Sequence, residues 1–246
     1  KNIFAVSADI AFLMMVYPFF LKPIACFIQY NRIYVYGTNM KDYKTVLYKA
    51  DIYPIFPTGV YKNVLERPFS KSEMKFCLGQ EKNKNTSNSY SKNIFVLEHL
   101  KLKQLKKDLE AHVENYFNIV IQTRNKVKPY ITQSWLNYTT LGESHHGHFH
   151  PNSLVSGVLY MQNGAEDSIN FNKQFETISL DPGTNNMFNS ENYRLKIKER
   201  ELELFPSRLR HSVDVKKEKN LRVSLSFNVF IKGEIGVADN LTQLTI

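Results

Sequence analysis

The residues best suited to chemistry in this chain are histidines, which form one dense cluster with one distant partner. Four of the seven histidines are His145, His146, His148 and His150, and a fifth is His211. Side chains alternate between faces in an extended segment, so we predict that His146, His148 and His150 share one face and that His145 takes the other. Neighbouring imidazoles on one face can share a metal ion, and imidazole suits Fe(II), Zn and Cu alike.

A third metal ligand must come from elsewhere in the chain, and His211 is the natural candidate. A strand about sixty residues after the cluster can return beside it in a jelly roll. Three ligands that leave open positions form the facial arrangement of non-haem iron centres. Two other interpretations stay open: the cluster is a surface tract that scavenges metal or binds none, or His211 is a structural histidine. The β-like run at 154–162 directly follows the cluster and favours a built site.

A strand near the end of the chain predicts a carboxylate anchor. Between Leu221 and Val229 apolar and polar residues alternate, so Arg222 and Ser224 share one face. This pattern also fits an ordinary half-exposed strand. If the polar face lies inside a cavity, Arg222 offers a fixed fork for a carboxylate and Ser224 adds a hydroxyl donor. A dicarboxylic acid could then be held at one end while its other end chelates the metal.

The elements that position these residues are mostly strands. Apolar residues recur at three- and four-residue steps from Leu102 to Val120, which predicts one amphipathic helix. Two polar stretches, 79–93 and 181–193, are expected to be loops, the second a candidate lid. We predict five short strands, at 131–138, 154–162, 167–171, 200–205 and 221–231. The fold class is therefore mainly β with flanking helices, a double-stranded β-helix of the jelly-roll, cupin-like type.

Composition indicates a folded domain in a reducing compartment. The apolar fraction is 43% and the charged fraction 22%, so long disorder is not expected. Cys26 and Cys77 are the only cysteines, which excludes a disulfide framework and a thiolate zinc site. The formal net charge of +9 favours an anionic partner, but it is no firm signal for nucleic acid or a membrane.

The beginning of the chain is hydrophobic and allows several interpretations. Residues 3–28 are apolar, but charged residues and prolines interrupt them. They could be a membrane anchor, a packed extension, or translated sequence upstream of a start at Met40. We expect a hydrophobic extension at 1–39 and one catalytic domain at 40–246.

Two segments carry a resemblance to a known family. Ser134–Gln162 contains SHHGHFHPNS, and Glu201–Phe230 contains RLRHSV and LRVSLSF. They resemble the 2-oxoglutarate- and Fe(II)-dependent oxygenases related to prolyl hydroxylases, in the H-x-H-P-N-S form common in phage and marine bacterial genomes. Weaker similarity extends the resemblance to residues 50–236.

The resemblance implies a role for each matching residue. His148 matches the first ligand of the family's H-x-D/E motif, and His211 matches the distal ligand. His150 stands where most relatives have a carboxylate, so a catalytic metal site of three histidines is implied. Arg222 and Ser224 match the R-x-S pair that binds the distal carboxylate of the cosubstrate.

Further cosubstrate contacts are implied for three more residues. Tyr160 lies where prolyl-hydroxylase relatives place a tyrosine near that carboxylate, and Asn137 or Tyr138 is expected to line the same pocket. The implied cofactor is Fe(II), and the implied cosubstrates are 2-oxoglutarate and O2, with ascorbate as an optional reductant.

The resulting expectation is a 2-oxoglutarate- and Fe(II)-dependent dioxygenase that couples oxidative decarboxylation of 2-oxoglutarate to substrate oxidation, hydroxylation by default. Two alternatives are a three-histidine cupin-type dioxygenase that does not use 2-oxoglutarate and a non-catalytic metal-binding jelly-roll protein. The substrate is left open among a protein, a nucleic acid, a lipid and a small metabolite. We expect a cytoplasmic protein, and the cytoplasm of a phage-infected bacterium is one setting that fits the resemblance.

Overall fold

A computed structural model describes residues 52–173, 183 and 185–246, together with the backbone of two strands near the start. The chain divides into two units, residues 1–57 and 58–246. In the first unit, β1 (Ala25–Gln29) and β2 (Arg32–Tyr36) form an antiparallel hairpin. The rest of the predicted extension at 1–39, including its boundary, lies outside the described residues. Within the described residues, no helix is both long and apolar enough to cross a membrane.

The second unit is built from two antiparallel sheets that form a jelly roll, as predicted. The larger sheet has the strand order β3-β11-β8-β13-β6-β5-β4, with β14 paired to β13 beyond this path. The smaller sheet has the order β10-β9-β12-β7. The strands are β3 (Tyr61–Val64), β4 (Lys82–Lys84), β5 (Ser89–Ser91), β6 (Val127–Thr139), β7 (His145–His148), β8 (Val155–Gln162), β9 (Ser168–Asn172), β10 (Asn192–Lys196), β11 (Glu201–Pro206), β12 (His211–Val213), β13 (Arg222–Ile235) and β14 (Leu244–Thr245).

Strand β13 lies at the centre of the larger sheet, between β6 and β8. Its side chains alternate as predicted: Val223, Leu225 and Phe227 belong to the main apolar core, while Arg222 and Ser224 line a cavity on the other face. One face of this strand therefore packs in the apolar core, and the other face supplies polar side chains to the cavity.

Two helices cover the apolar face of the larger sheet. The predicted amphipathic helix is α2 (Lys103–Tyr116), and its apolar stripe is buried. Helix α1 (Lys71–Leu78) was not predicted, because eight residues give little periodicity. Its signal was the capping box, in which Ser70 accepts from the Glu73 backbone and the Glu73 carboxylate accepts from the Ser70 backbone.

Three details differ from the sequence prediction. The predicted loop at 79–93 contains the hairpin β4–β5. The α-helix ends at Tyr116, four residues before the predicted end at Val120. The chain continues as a π-helix, Phe117–Ile121, in which Val120 is exposed. In the polar stretch 181–193, residues 181, 182 and 184 are not described, and β10 already begins at Asn192.

The packing of α2 predicts a stability difference between its two faces. Leu109 is fully buried, so Leu109→Ala should lower the free energy of unfolding by about 2 to 5 kcal/mol through lost burial and a cavity. Lys107→Ala on the exposed face should change it by less than about 0.5 kcal/mol. Urea denaturation followed by circular dichroism measures both, and equal effects would contradict the packing of α2 on the sheet.

Candidate metal centre

Three histidines meet at one end of the smaller sheet. His148 on β7 and His211 on β12 are Cα partners in an antiparallel pair. His150 follows β7, and its backbone N–H donates to the carbonyl of Ser207 at 3.0 Å, which ties this loop to the segment before His211. The ligand atoms of the three imidazoles lie within 4.8 Å of one another.

Backbone carbonyls set the tautomers of two of these rings. His148 Nδ1 lies 2.8 Å from the carbonyl oxygen of His146, and His211 Nδ1 lies 3.0 Å from that of Leu209. A carbonyl only accepts, so each Nδ1 carries the proton. The Nε2 lone pair of both rings is then free for a metal, the orientation that supporting hydrogen bonds give to ligand histidines.

The same three imidazoles are neutral because they are buried. Burial is the largest cause that lowers the pKa of His211 to about 3 and that of His150 to about 4. The pKa of His148 is lowered too, first by burial, against the opposing hydrogen bond to the His146 carbonyl.

The spacing of these nitrogens fits a single transition-metal ion. Two imidazole nitrogens bound at about 2.1 Å to one ion lie about 3 to 3.5 Å apart. His150 Nε2 and His211 Nε2 are separated by 3.4 Å. A neutral three-nitrogen site suits iron, zinc or copper and is a poor site for calcium or magnesium, which prefer oxygen.

The prediction for the other two histidines of the cluster was wrong. His146 is exposed, whereas His145 lines the cavity and stacks on His148, with ring centroids 4.6 Å apart. The cause is an irregularity in the β7–β12 pairing, where His211 pairs with His148 but Val213 pairs with His145. An extra residue in β7 reverses the alternation of faces, and the isolated Gly147 within this strand is the sequence signal of such a bulge. His145, His146 and His148 also form a second group close enough to hold a metal.

The predicted carboxylate anchor lines the same cavity as the three histidines. Asn137 on β6 is the Cα partner of Ser224 on β13, and Ser224 is the partner of Tyr160 on β8. These three side chains form a row across adjacent strands, and with Arg222 they line the cavity. Asn137 Nδ2 donates to Ser226 Oγ at 3.0 Å.

Tyr138 is not brought to this cavity. It follows Asn137 on the same strand and therefore points to the opposite face. Its hydroxyl donates to the carbonyl of Cys77 at 2.5 Å, and its ring is buried in the main core beside the helices. Its part is structural, since it ties the end of α1 to the sheet.

A buried ion cluster supports Arg222, and the sequence did not indicate it. Arg222 Nη1 donates to Asp167 Oδ1 at 3.2 Å, and Lys216 Nζ donates to Asp167 Oδ2 at 3.0 Å. All three side chains are almost completely buried. Burial lowers the pKa of Arg222, and Asp167 opposes that shift by favouring the charged guanidinium. These partners are about fifty residues apart in the chain, so only folding brings them together.

A second cavity, of about 420 Å³, lies beside this ion cluster. Asp167 and Arg222 line it together with Arg194, Asp214 and Lys217. None of the three clustered histidines lines it, so the candidate metal centre lies in the narrower cavity that contains them.

Comparisons with known proteins agree with this geometry. Residues 133–228 match the family model described as "Putative 2OG-Fe(II) oxygenase". No curated protein matches the chain in sequence.

Solved structures share the fold at low sequence identity. HygX from Streptomyces hygroscopicus with nickel and 2-oxoglutarate bound has a TM-score of 0.51 at 10% identity, with 70% of this chain and 82% of HygX covered. HygX with nickel, 2-oxoglutarate and hygromycin B bound has a TM-score of 0.50 at 11% identity, with the same coverage. A prolyl-4-hydroxylase from Pseudomonas putida has a TM-score of 0.44 at 12% identity, with 70% and 92% covered, a likeness too weak to support an inference.

The segment matched by the family model contains His148, His150 and His211 as well as the Arg222–Ser224 pair. The HygX structures independently support the jelly-roll fold that holds them. Over residues 133–228 the chain therefore resembles the 2-oxoglutarate- and Fe(II)-dependent oxygenases, which indicates an oxidoreductase.

Proposed function

We propose that the enzyme is a hydroxylase in which His148, His150 and His211 hold Fe(II) and Arg222 holds the distal carboxylate of 2-oxoglutarate. The observation that supports this most directly is that three neutral imidazoles and one buried guanidinium line a single cavity. Bound iron would supply the activation of O2 and the oxidative decarboxylation of the cosubstrate. The chain supplies binding, orientation and exclusion of water.

The three-histidine site suits a dianionic cosubstrate on electrostatic grounds. A site with His150 in place of a carboxylate carries one negative charge less around the metal. Arg222 shares Asp167 with Lys216, and Lys216 also contacts Glu218 at 3.6 Å. A dicarboxylate would therefore offset the positive charge of the metal at one end and accept from the unused donors of Arg222 at the other.

Arg222 has donors to spare for this role. Among the described residues its side chain donates one hydrogen bond, from Nη1 to Asp167. The guanidinium has five N–H donors in a rigid fork, so Nη2 and Nε remain for a carboxylate. Ser224 and Tyr160 place two hydroxyl groups on the same side of the sheet, directly across from each other.

Water is restricted around the metal ligands by aromatic side chains. The ring of Trp135 lies 5.6 Å from that of His150, and the ring of Phe205 lies 4.8 Å from that of His211. A dry site strengthens the electrostatic interactions of bound groups and protects reactive intermediates from water.

We also propose that the enzyme belongs to the H-x-H-P-N-S subgroup found in phage and marine bacteria and that it works in the cytoplasm. The segment His148-Phe149-His150-Pro151-Asn152-Ser153 supports the first statement. The buried free thiol of Cys77 supports a reducing location. The formal net charge of +9 favours an anionic substrate.

Uncoupled turnover tests the proposed function. Anaerobically purified, Fe(II)-loaded protein should form succinate from 2-oxoglutarate once oxygen is admitted, and His211→Ala should form none. With a substrate present, labelled oxygen from O2 should appear in the product. Iron binding without any binding of 2-oxoglutarate would contradict the proposal and favour a three-histidine dioxygenase or a metal-binding jelly-roll protein.

Metal affinity should distinguish the two histidine groups. His211→Ala should weaken Co(II) binding by more than about 100-fold, because it removes one ligand of the proposed centre. His146→Ala should leave the affinity within about threefold of the parent, because His146 is exposed and outside that centre. Calorimetric titration measures both. A large loss with His146→Ala alone would assign the metal to the group of His145, His146 and His148.

Cosubstrate affinity should depend on Arg222 and on the carboxylate that supports it. Arg222→Ala should raise the Kd for 2-oxoglutarate by about 10- to 100-fold, the cost of an unpaired carboxylate. Asp167→Asn should raise KM while kcat changes little, because Arg222 loses its orienting partner but keeps its charge. The exposed Arg124→Ala is the control. An unchanged Kd in Arg222→Ala would place the distal carboxylate elsewhere.

A further inference from the structure

Glu203 is a buried carboxylic acid beside the cosubstrate pocket for which neither the sequence motifs nor the proposed metal chemistry accounts. It lies on β11, where it is the Cα partner of Val158 on β8. Tyr160 lies two residues beyond Val158 on the same face of the sheet. The Glu203 and Tyr160 side chains interact inside the barrel.

Both side chains lack hydrogen-bond partners of good geometry. Glu203 is 0% exposed and Tyr160 is 3% exposed. Among the described residues, neither oxygen of Glu203 nor the hydroxyl of Tyr160 has a hydrogen-bond partner. Three adjacent buried polar atoms without partners are costly, and such groups in folded proteins usually have a functional explanation.

The nearby charged groups do not satisfy Glu203. Lys62 Nζ on β3 lies 3.8 Å from Glu203 Oε1, but it already contacts Glu201 at 2.6 Å and donates to the carbonyl of Lys196 at 2.9 Å. Glu201, on the same strand, adds a like charge, and Arg222 on β13 acts on Tyr160 from the pocket side.

This environment favours the neutral acid. Burial is the largest cause that raises the pKa of Glu203 to about 8; Glu201 adds to the rise, while Lys62 and the neighbouring Tyr160 hydroxyl oppose it. Burial also raises the pKa of Tyr160 well above its ordinary value, so its hydroxyl keeps its proton. Near neutral pH the pair therefore has two O–H donors.

We propose that Glu203 is a positioning residue for cosubstrate binding: its protonated carboxyl donates to the phenol oxygen of Tyr160, and the Tyr160 O–H then donates to the carboxylate held by Arg222. The proposal rests on the proposed function, since that carboxylate belongs to 2-oxoglutarate. Ser224 lies directly across from Tyr160, so the hydroxyl groups of both residues can donate to this carboxylate from the same face of the sheet.

The two protonation states of Glu203 have opposite effects on the ligand. The neutral acid needs an acceptor, which the phenol oxygen supplies, so the phenol proton is left for the ligand. The ionised carboxylate would take the phenol proton for itself and would add a negative charge beside the bound carboxylate. Affinity for 2-oxoglutarate is then full below the pKa of Glu203 and falls as the pH rises through it.

The test is the Kd of 2-oxoglutarate, measured by calorimetry on Ni(II)-loaded protein under nitrogen between about pH 6.5 and pH 9.5, a range that brackets the raised pKa. Ni(II) does not support turnover, so the measurement reports binding alone. The parent should lose about tenfold in affinity between about pH 8 and pH 9.5. Glu203→Gln, whose amide donates to the phenol oxygen but does not ionise, should bind within about threefold of the parent at pH 7 and keep that affinity at high pH.

Two further variants complete the design. Tyr160→Phe should weaken binding at pH 7 by about tenfold and remove the pH dependence, because the hydroxyl that Glu203 positions is gone. Glu114→Gln changes an exposed carboxylate and should keep the parent profile. The histidines and the metal are common to all variants, so their own titration cancels in the comparison. Thermal unfolding checks that each variant is folded.

Two results would overturn the inference. If Glu203→Gln shows the same loss of affinity at high pH as the parent, another group titrates. If Tyr160→Phe binds as tightly as the parent at pH 7, the hydroxyl does not contact the ligand. Failure of the proposed function looks different, because the parent would then not bind 2-oxoglutarate at any pH.

Discussion

The rest of this structure depends on the alternation of side chains along β13, the strand at the centre of the larger sheet. It pairs with β6 on one side and β8 on the other, so its register fixes both neighbours. A shift by one residue would place Arg222 and Ser224 in the apolar core and would expose Val223 and Leu225 to the pocket. The burial of one face thus specifies the chemistry of the other.

The arrangement of His148, His150 and His211 depends on a second and smaller set of contacts. The β7–β12 pairing brings His148 against His211, and one backbone hydrogen bond from His150 to Ser207 holds the loop that completes the set. Carbonyl groups of neighbouring loops fix the ring tautomers. The geometry of these three imidazoles therefore comes from backbone contacts, which tolerate side-chain changes around them.

Burial of polar groups is the cost that the pocket imposes on the fold. Arg222, Lys216 and Asp167 are desolvated but paired, which limits the penalty. Glu203 and Tyr160 are desolvated without partners among the described residues. Apolar residues at these two positions would make the fold more stable. The presence of Glu203 and Tyr160 there therefore indicates a role in ligand binding.

Most of the framework could be predicted from local sequence. The predicted strands and the helix that became α2 were found, because apolar residues recur with the period of each element and burial enforces that period. The convergence of His148, His150 and His211 was also predicted, from the H-x-H spacing and the topology of a jelly roll. The extent of α2 was overestimated, since Val120 is exposed beyond its end.

The remaining parts of the site depended on contacts that sequence spacing does not encode. A bulge in β7 exchanged the expected places of His145 and His146, and the pleat of β6 sent Tyr138 to the helix side. Asp167 and Glu203 gained their importance only through partners on other strands. The sequence by itself determined which residues could bind a metal and a carboxylate, because residue type and period are local. Only the tertiary structure decided which of them face one cavity and in what charge state, because register, bulges and desolvation arise from strands distant in the chain.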